Sequence, residues 1–127
     1  MTADSGLGLC VIHEEAIDAA AFNDFLKKLR QRFGGRPLAL FMDQLRVHKA
    51  KAVAPSYQAL DILPIFNVGY SPELNPIEAV FSRVKYQYCR QRLHNLVNKT
   101  GWNADREIEA ALGQITKAHC AACVRKS

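Results

Sequence analysis

Two acidic residues, Asp43 and Glu78, stand where carboxylates can do metal-dependent chemistry. Asp43 follows the apolar run 38–42, which predicts a strand buried on both faces of a mixed or parallel sheet. In α/β sheets, sites gather at the carboxyl ends of strands, so an acid at such a position is a candidate ligand. Phosphoryl-transfer sites with two metals need several carboxylates around ions about 3.5–4 Å apart.

Each acid also has a purely structural explanation. Asp43 can cap the turn that follows its strand, as Asp often does. The segment Asn75-x-x-Glu78 has the form of a capping box, in which the glutamate reaches back to the backbone N–H of the first residue. For each acid considered alone, a structural role is the preferred interpretation. The pair favours chemistry, because a strand end and the first turn of a later helix can meet at one site.

Basic side chains follow Asp43 and recur on the helix that carries Glu78. With Ile77 at the centre of that helix's buried face, Glu78 lies roughly 100° and Lys85 about 80° round the wheel. Side chains of this kind either hold the phosphates of a nucleic acid or form a solvated face. The candidates for DNA contact are Arg46, Lys49, Lys51, Arg83 and Lys85.

The pattern along the first half of the chain predicts alternating strands and helices. Residues 6–13 read as a strand, and Asp18 is an N-cap for a helix that the glycines at 34 and 35 end. After the strand at 38–42, residues 50–60 can form a helix that Pro55 would kink or restart.

The second half continues with a strand at 62–68 and the clearest helix start in the chain. Asn75 is predicted as the N-cap of this helix, and Pro76 as its first residue, a position that proline favours. A last helix is predicted from Asp105, with room to continue into the basic end of the chain. The apolar face of the helix after Pro76 is predicted from Ile77, Val80, Phe81, Val84 and Tyr88. The order of elements predicts an α/β fold.

Composition bounds the class of protein. The chain has 127 residues, of which 49% are hydrophobic and 23% charged, which suits one soluble domain. A net charge of +5 suits a polyanionic partner such as DNA, RNA or an anionic membrane surface. A signal-peptide pattern and an apolar run long enough for a membrane span are both absent, so a cytoplasmic location is expected. Cys120 and Cys123 invite a zinc interpretation, but the other candidate ligands are poorly spaced, which favours reduced thiols.

Two segments, 40–49 and 70–78, resemble the mariner-like superfamily of DDE transposases, including its bacterial insertion-sequence branch. They read Leu-Phe-Met-Asp-Gln-Leu-Arg-Val-His-Lys and Tyr-Ser-Pro-Glu-Leu-Asn-Pro-Ile-Glu. In that family a strand ends in the second catalytic Asp, a His follows, and the Tyr-Ser-Pro motif supplies the last acid. Thirty-four residues lie between Asp43 and Glu78, the spacing of one large branch. The resemblance covers residues 5–100.

The resemblance implies an RNase H-like fold, a mixed sheet with flanking helices. It also implies two Mg²⁺ or Mn²⁺ ions, DNA cleavage at transposon ends, and joining of the freed 3′ hydroxyl to target DNA. The resemblance also implies that Asp43 and Glu78 are metal ligands and that His48 and Asn75 are supporting groups near them. The expected location is then the nucleoid of a bacterial cytoplasm.

One departure from the family is that its first catalytic Asp, on the first strand of the fold, has no counterpart here. Asp4 is too near Asp43 in sequence to take that role. The sheet is therefore expected to lack its central first strand, which exposes backbone edges and predicts a homodimer or pairing with an upstream transposase polypeptide. Residues 1–100 would be the C-terminal portion of the catalytic domain and residues 101–127 a helical basic tail.

Two other interpretations stay open. One is a noncatalytic DNA-binding or dimerisation module that modulates full-length transposase. The other is a decayed reading frame.

Overall fold

The computed structural model describes residues 1, 2, 6–69 and 71–126. The chain divides into two compact units, Gly8–Asn75 and Met1–Leu7 with Pro76–Ser127. The elements in chain order are α1 (Ala19–Phe33), β1 (Leu38–Met42), α2 (Ala54–Ala59), β2 (Ile62–Phe66), a 3-10 turn (Pro72–Leu74), α3 (Ile77–Val97), α4 (Ala104–Gly113) and α5 (Lys117–Lys126). None of the helices in the described part of the chain is long and apolar enough to cross a membrane.

The unit Gly8–Asn75 is built on two parallel strands. β1 and β2 pair in register from Leu38 opposite Ile62 to Met42 opposite Phe66. Parallel strands need a crossover connection, and the chain between them supplies one that contains α2. The ladder extends one step further, because the backbone N–H of Asn67 donates to the carbonyl of Met42 at 2.7 Å.

The core of this unit lies on one face of the two strands. There Met42 and Ile62 are buried together with side chains from α1 and α2, and burying one such side chain contributes about 1.5–3 kcal/mol. The other buried members of this core are Phe22 and Leu26 of α1, Tyr57 of α2 and Val53, which directly precedes α2.

The termini of α1 agree with the sequence. Asp18 caps the helix by accepting a hydrogen bond from the N–H of Ala21 at 2.8 Å. The helix ends at Phe33, where Gly34 has φ 58°, a left-handed conformation that glycine adopts at little cost. Pro55 restarts rather than kinks the next helix: α2 begins at Ala54, with the proline in its first turn.

The opposite face of the strands is exposed, so the prediction that the first of them is buried on both faces is wrong. Phe41 is 40% exposed, and its neighbours on that face, Leu63 and Ile65, are 63% and 42% exposed. Helices α1 and α2 cover only one side of the pair, and alternate residues of a strand point to opposite sides. An apolar sheet face is therefore left open to solvent.

The second unit is helical. Helix α3 packs against α4 and α5, with Val80, Ala111 and Cys120 buried. Burial raises the pKa of the Cys120 thiol, which favours the protonated form at neutral pH. The rings of Tyr88 and Trp102 meet edge to face at 5.1 Å.

Two predictions for this unit are corrected. Periodicity predicts Phe81 on the apolar face of its helix, but Phe81 is 55% exposed while its neighbour Val80 is buried. The predicted last helix is divided into α4 and α5, because the chain turns at residues 114–116 and the Thr116 hydroxyl then accepts from the N–H of His119 at 3.2 Å. That hydroxyl acts as an N-cap for the final helix.

The predicted strand at residues 6–13 is wrong. Gly6 forms an isolated bridge with Thr2, and residues 7–13 contain no strand. Gly8 lies against the end of α1: its carbonyl accepts from Arg32 Nε at 3.3 Å, and a Cβ at Gly8 would lie 2.7 Å from the ring of Phe33. Residues with high strand propensity form a strand only beside a pairing partner, and Gly8 of this segment packs on α1 instead.

Arg30 joins the ends of α1 and α2. Its guanidinium donates to the carbonyls of Leu60 at 3.3 Å and Asp61 at 3.2 Å. It also donates to the carbonyls of Gly34 and Arg36, each at 2.5 Å. These carbonyls lie just after the helices and have no hydrogen-bond donor within a helix. The Arg30 side chain therefore supplies donors to the backbone carbonyls at the ends of both α1 and α2.

Replacing Arg30 with Ala should therefore destabilise the fold. We expect a loss of about 2 kcal/mol in the free energy of unfolding, because several charge-assisted hydrogen bonds disappear together. Chemical denaturation measures it, with Lys28→Ala, an exposed site on the same helix, as the matched control. Equal losses in the two variants would contradict this role for Arg30.

Tyr57 ties α2 to the loop that follows β1. Its hydroxyl donates to the carbonyl of His48 at 2.7 Å and lies 3.5 Å from the sulfur of Met42. Burial raises the pKa of the Tyr57 phenol, since the charged phenolate would lose solvation. A raised pKa in the folded state stabilises the fold while the phenol is neutral, and this stabilisation is lost as pH rises through that pKa.

Replacing Tyr57 with Phe should cost about 1 kcal/mol in the free energy of unfolding near pH 7, because the His48 carbonyl loses its donor. The same variant should lose less stability than the parent as pH rises above about 10, the ordinary pKa of tyrosine. Denaturation at a series of pH values tests both effects. Tyr86→Phe, at a residue 63% exposed, is the control. An unchanged alkaline slope in Tyr57→Phe would contradict the assignment.

Candidate active site

Asp43 lies directly after β1, at the carboxyl end of the strand, as the sequence predicts. Its side chain is 44% exposed, and its Oδ1 lies 2.9 Å from Nδ1 of His48. The same nitrogen lies 3.0 Å from the carbonyl oxygen of Asp43. With the proton on Nδ1, the imidazole donates to both oxygens and fixes the direction of the carboxylate.

The ring of His48 is itself held in place. It is 15% exposed and stacks at a tilt on Phe22 of α1, with the ring centroids 4.8 Å apart. The carbonyl of His48 accepts the Tyr57 hydroxyl described above. Helices α1 and α2 therefore both position the imidazole, and through it the exposed carboxylate of Asp43.

Two further polar residues near this strand end were not found from the sequence. Asn67 is 4% exposed directly after β2, and its side chain donates to the Ser71 carbonyl at 2.5 Å and accepts from the Val68 N–H at 2.8 Å. Gln44 Nε2 donates to the carbonyl of Asn67 at 2.6 Å. The signal was available for Asn67, because it stands at the end of an apolar strand just as Asp43 does.

The basic loop after Asp43 is exposed at all three of its candidate positions. Lys49 is oriented by two contacts: its Nζ donates to Gln44 Oε1 at 2.6 Å and lies 5.1 Å from the centre of the Phe66 ring. Arg46 and Lys51 are exposed in the turns that lead into α2.

Glu78 lies in the first turn of α3 and is partly buried. The helix begins at Ile77 with Pro76 as its N-cap, one residue later than predicted. A carboxylate in a first turn interacts favourably with the positive end of the helix dipole. Arg83 and Lys85 on this helix are both exposed.

Asn75 precedes this helix and is 7% exposed. Its N–H donates to the Pro72 carbonyl at 3.0 Å, which closes the 3-10 turn. Asn75 ends the unit that holds Asp43, and Glu78 belongs to the other unit. Tyr70 of the motif, and Asp4, lie outside the described residues.

The donor chemistry of the two acids suits a hard divalent ion. Mg²⁺ is usually held by one or two carboxylates together with water and substrate phosphates, and the half-exposed carboxylate of Asp43 can take part in such a shell. No group of three His, Cys, Asp or Glu side chains that could hold a metal ion occurs in the described part of the chain. The two acids are of the type that binds such ions, but the described residues do not group enough ligands for a complete site.

Comparison with known proteins adds the family. Residues 1–99 match the model of the family described as DDE superfamily endonuclease. The match includes both acids, the histidine and the basic loop. No curated protein matches the chain. The mixed α/β architecture, with a parallel strand pair and flanking helices, is compatible with part of an RNase H-like fold. The chain belongs to the DDE superfamily endonuclease family, whose members have a transposase-type nuclease domain.

Proposed function

We propose that this chain supplies two of the three metal-binding acids of a transposase that cleaves DNA and transfers the cut strand. The observation that carries the proposal is the carboxylate of Asp43, exposed at a strand end and oriented by His48 at 2.9 Å. A carboxylate that only capped a turn would not need a partly buried imidazole to direct it outward.

In this proposal Asp43 and Glu78 would hold Mg²⁺ or Mn²⁺ when a DNA strand is bound. The chemistry supplied there would be activation of a water or hydroxyl and stabilisation of the leaving oxygen of the phosphodiester. His48 keeps the Asp43 carboxylate in one orientation, and Asn75 fixes the turn that precedes Glu78. Both act as positioning residues.

The DNA backbone would be held by the exposed cations of the two segments. Their positions after β1 and along α3 place positive charge on the same segments that carry the acids. Contacts of this type fix the register of a strand and contribute affinity without reading sequence. The proposed residues are Arg46, Lys49, Lys51, Arg83 and Lys85. A protein of this kind would work on DNA in the bacterial nucleoid.

The third acid would come from an upstream strand that pairs with β1. Because Asn67 donates to the carbonyl of Met42, Met42 points its backbone groups at β2, and those of Ala39 and Phe41 point to the other side. The outer edge of β2 carries Pro64, which lacks an N–H, as edge strands often do. Within residues 1, 2, 6–69 and 71–126 no strand pairs with the outer edge of β1. That edge is therefore the one suited to an added strand, from an upstream transposase polypeptide or a second copy. In this proposal residues 1–100 form the catalytic portion and residues 101–127 the tail.

The experiment is a nicking assay on supercoiled DNA with Mn²⁺. This chain alone should nick little, and adding an upstream polypeptide that carries the first strand and acid of a complete family member should produce nicking. Asp43→Asn and Glu78→Gln should each lower that rate by about a thousandfold or more, because a metal ligand contributes several kcal/mol to the transition state.

Asp61→Asn is the matched control, since Asp61 is an exposed acid of the same unit and Asn tolerates its φ of 53°. Robust nicking by this chain alone that Asp43→Asn abolishes would overturn the need for an upstream strand. Nicking in the mixture that survives both acid variants would overturn the assignment of the ligands.

A second candidate, a noncatalytic module that binds DNA or poisons full-length transposase by mixed assembly, is favoured by the open apolar face around Phe41 and Leu63. Under this alternative, DNA affinity falls steeply with salt and is unchanged in Asp43→Ala. Fluorescence anisotropy at several salt concentrations, with and without Mn²⁺, measures it. The leading proposal expects Mn²⁺ to strengthen binding in the parent and not in Asp43→Ala.

A further inference from the structure

An open cleft of about 630 Å³ lies between α2 and β2, within the unit that contains Asp43. Its volume falls in the range of sites for small organic ligands, roughly 300–1,000 Å³. The floor is apolar and comes from Ile62, Pro64 and Phe66, alternate residues that β2 presents to one face. We call this feature the α2–β2 cleft.

The helical wall of the α2–β2 cleft offers one adaptable polar group. Ala54 and Gln58 are four residues apart, so they lie on the same side of α2, and both are exposed. The hydroxyl of Tyr57 is already donated to the His48 carbonyl at 2.7 Å. The side-chain amide of Gln58 has both a donor and an acceptor, which matches the edge of a nucleobase.

The rim of the α2–β2 cleft is positively charged. Lys49 lines it, with Nζ held 5.1 Å from the centre of the Phe66 ring by the contact with Gln44 Oε1 at 2.6 Å. The residues that line the cleft include no carboxylate. His48 lines it too, and the same imidazole contacts the carboxylate of Asp43. The cleft and the candidate active site therefore share a wall.

We propose that the α2–β2 cleft binds an unpaired nucleobase of single-stranded DNA. Lys49 Nζ moves off the Phe66 ring to the phosphate, the base stacks on Phe66 and Pro64 in its place, and Gln58 bonds the edge of the base. Aromatic floors beside basic groups are the common device for holding single strands. The choice of DNA as the ligand rests on the proposed function. An apolar side chain of a protein partner would not need the cation and the amide at the rim.

The test is fluorescence anisotropy with a short labelled oligothymidine and, in parallel, an abasic oligomer of the same length. Ala54→Trp fills the cleft from the exposed wall and should weaken binding of oligothymidine about tenfold. The abasic oligomer should bind the parent about tenfold more weakly than oligothymidine does. Ala59→Trp, at an exposed position of α2 outside the lining, should bind like the parent.

If Ala54→Trp does not fold, as judged by circular dichroism, Gln58→Ala takes its place and should weaken binding about fivefold. Equal binding of oligothymidine and the abasic oligomer would overturn the proposal, since phosphates alone would then account for affinity. Unchanged affinity in the cleft variants would also overturn it, as would binding of duplex but not of oligothymidine. These equilibrium readouts need neither metal nor an upstream strand, so failure of the nicking assay leaves them interpretable.

Discussion

The parallel pairing of β1 with β2 is the constraint on which the rest of the acid-bearing unit depends. Parallel strands run in the same direction, so their carboxyl ends meet at one edge, and Asp43 and Asn67 both follow there. The connection between the strands must cross over, which places α2 on the covered face. From that position Tyr57 reaches the His48 carbonyl, and the imidazole reaches Asp43. The contacts that pack the core therefore also orient the exposed carboxylate of Asp43.

The features that sequence predicts well are those set by short-range chemistry. Asp18 caps α1 because its carboxylate reaches a backbone N–H three residues away, and Gly34 ends the same helix because it tolerates positive φ. Asp43 at the end of an apolar run was likewise predictable. The histidine was predicted as a supporting residue by resemblance alone. The contacts that orient it, from Phe22 and Tyr57, join residues far apart in sequence, and no local pattern encodes them.

The features that sequence mispredicts depend on what is packed nearby. The apolar run 38–42 is typical of a strand covered on both faces, yet helices cover a single face here. Residues 6–13 have the composition of a strand, yet residues 7–13 lie outside any strand and Gly8 contacts the end of α1. Phe81 occupies a helical position that periodicity assigns to the core, but it is 55% exposed. In each case the hydrophobic pattern shows which residues could be buried. Whether they are buried depends on whether another element packs against them.

The outer edge of β1, which no described strand pairs with, and the small number of acids grouped among the described residues have a single explanation under the proposed function. A strand added beside β1 would satisfy the backbone groups of Ala39 and Phe41 and bring a carboxylate to the same edge of the sheet as Asp43. Folding and catalysis would then be completed by the same segment. Family membership rests on the match over residues 1–99. The proposal built on it is that this chain supplies two of the acids and another segment supplies the third.

The most direct measurement of that proposal is the anomalous scattering of Mn²⁺ in a crystal of this chain with an upstream polypeptide that carries the first strand and acid. The account predicts a manganese peak bound by the carboxylates of both Asp43 and Glu78, with a third acid from the added strand beside β1. A well-occupied manganese site that lacks Asp43 or Glu78, or an added strand paired elsewhere than β1, would contradict it.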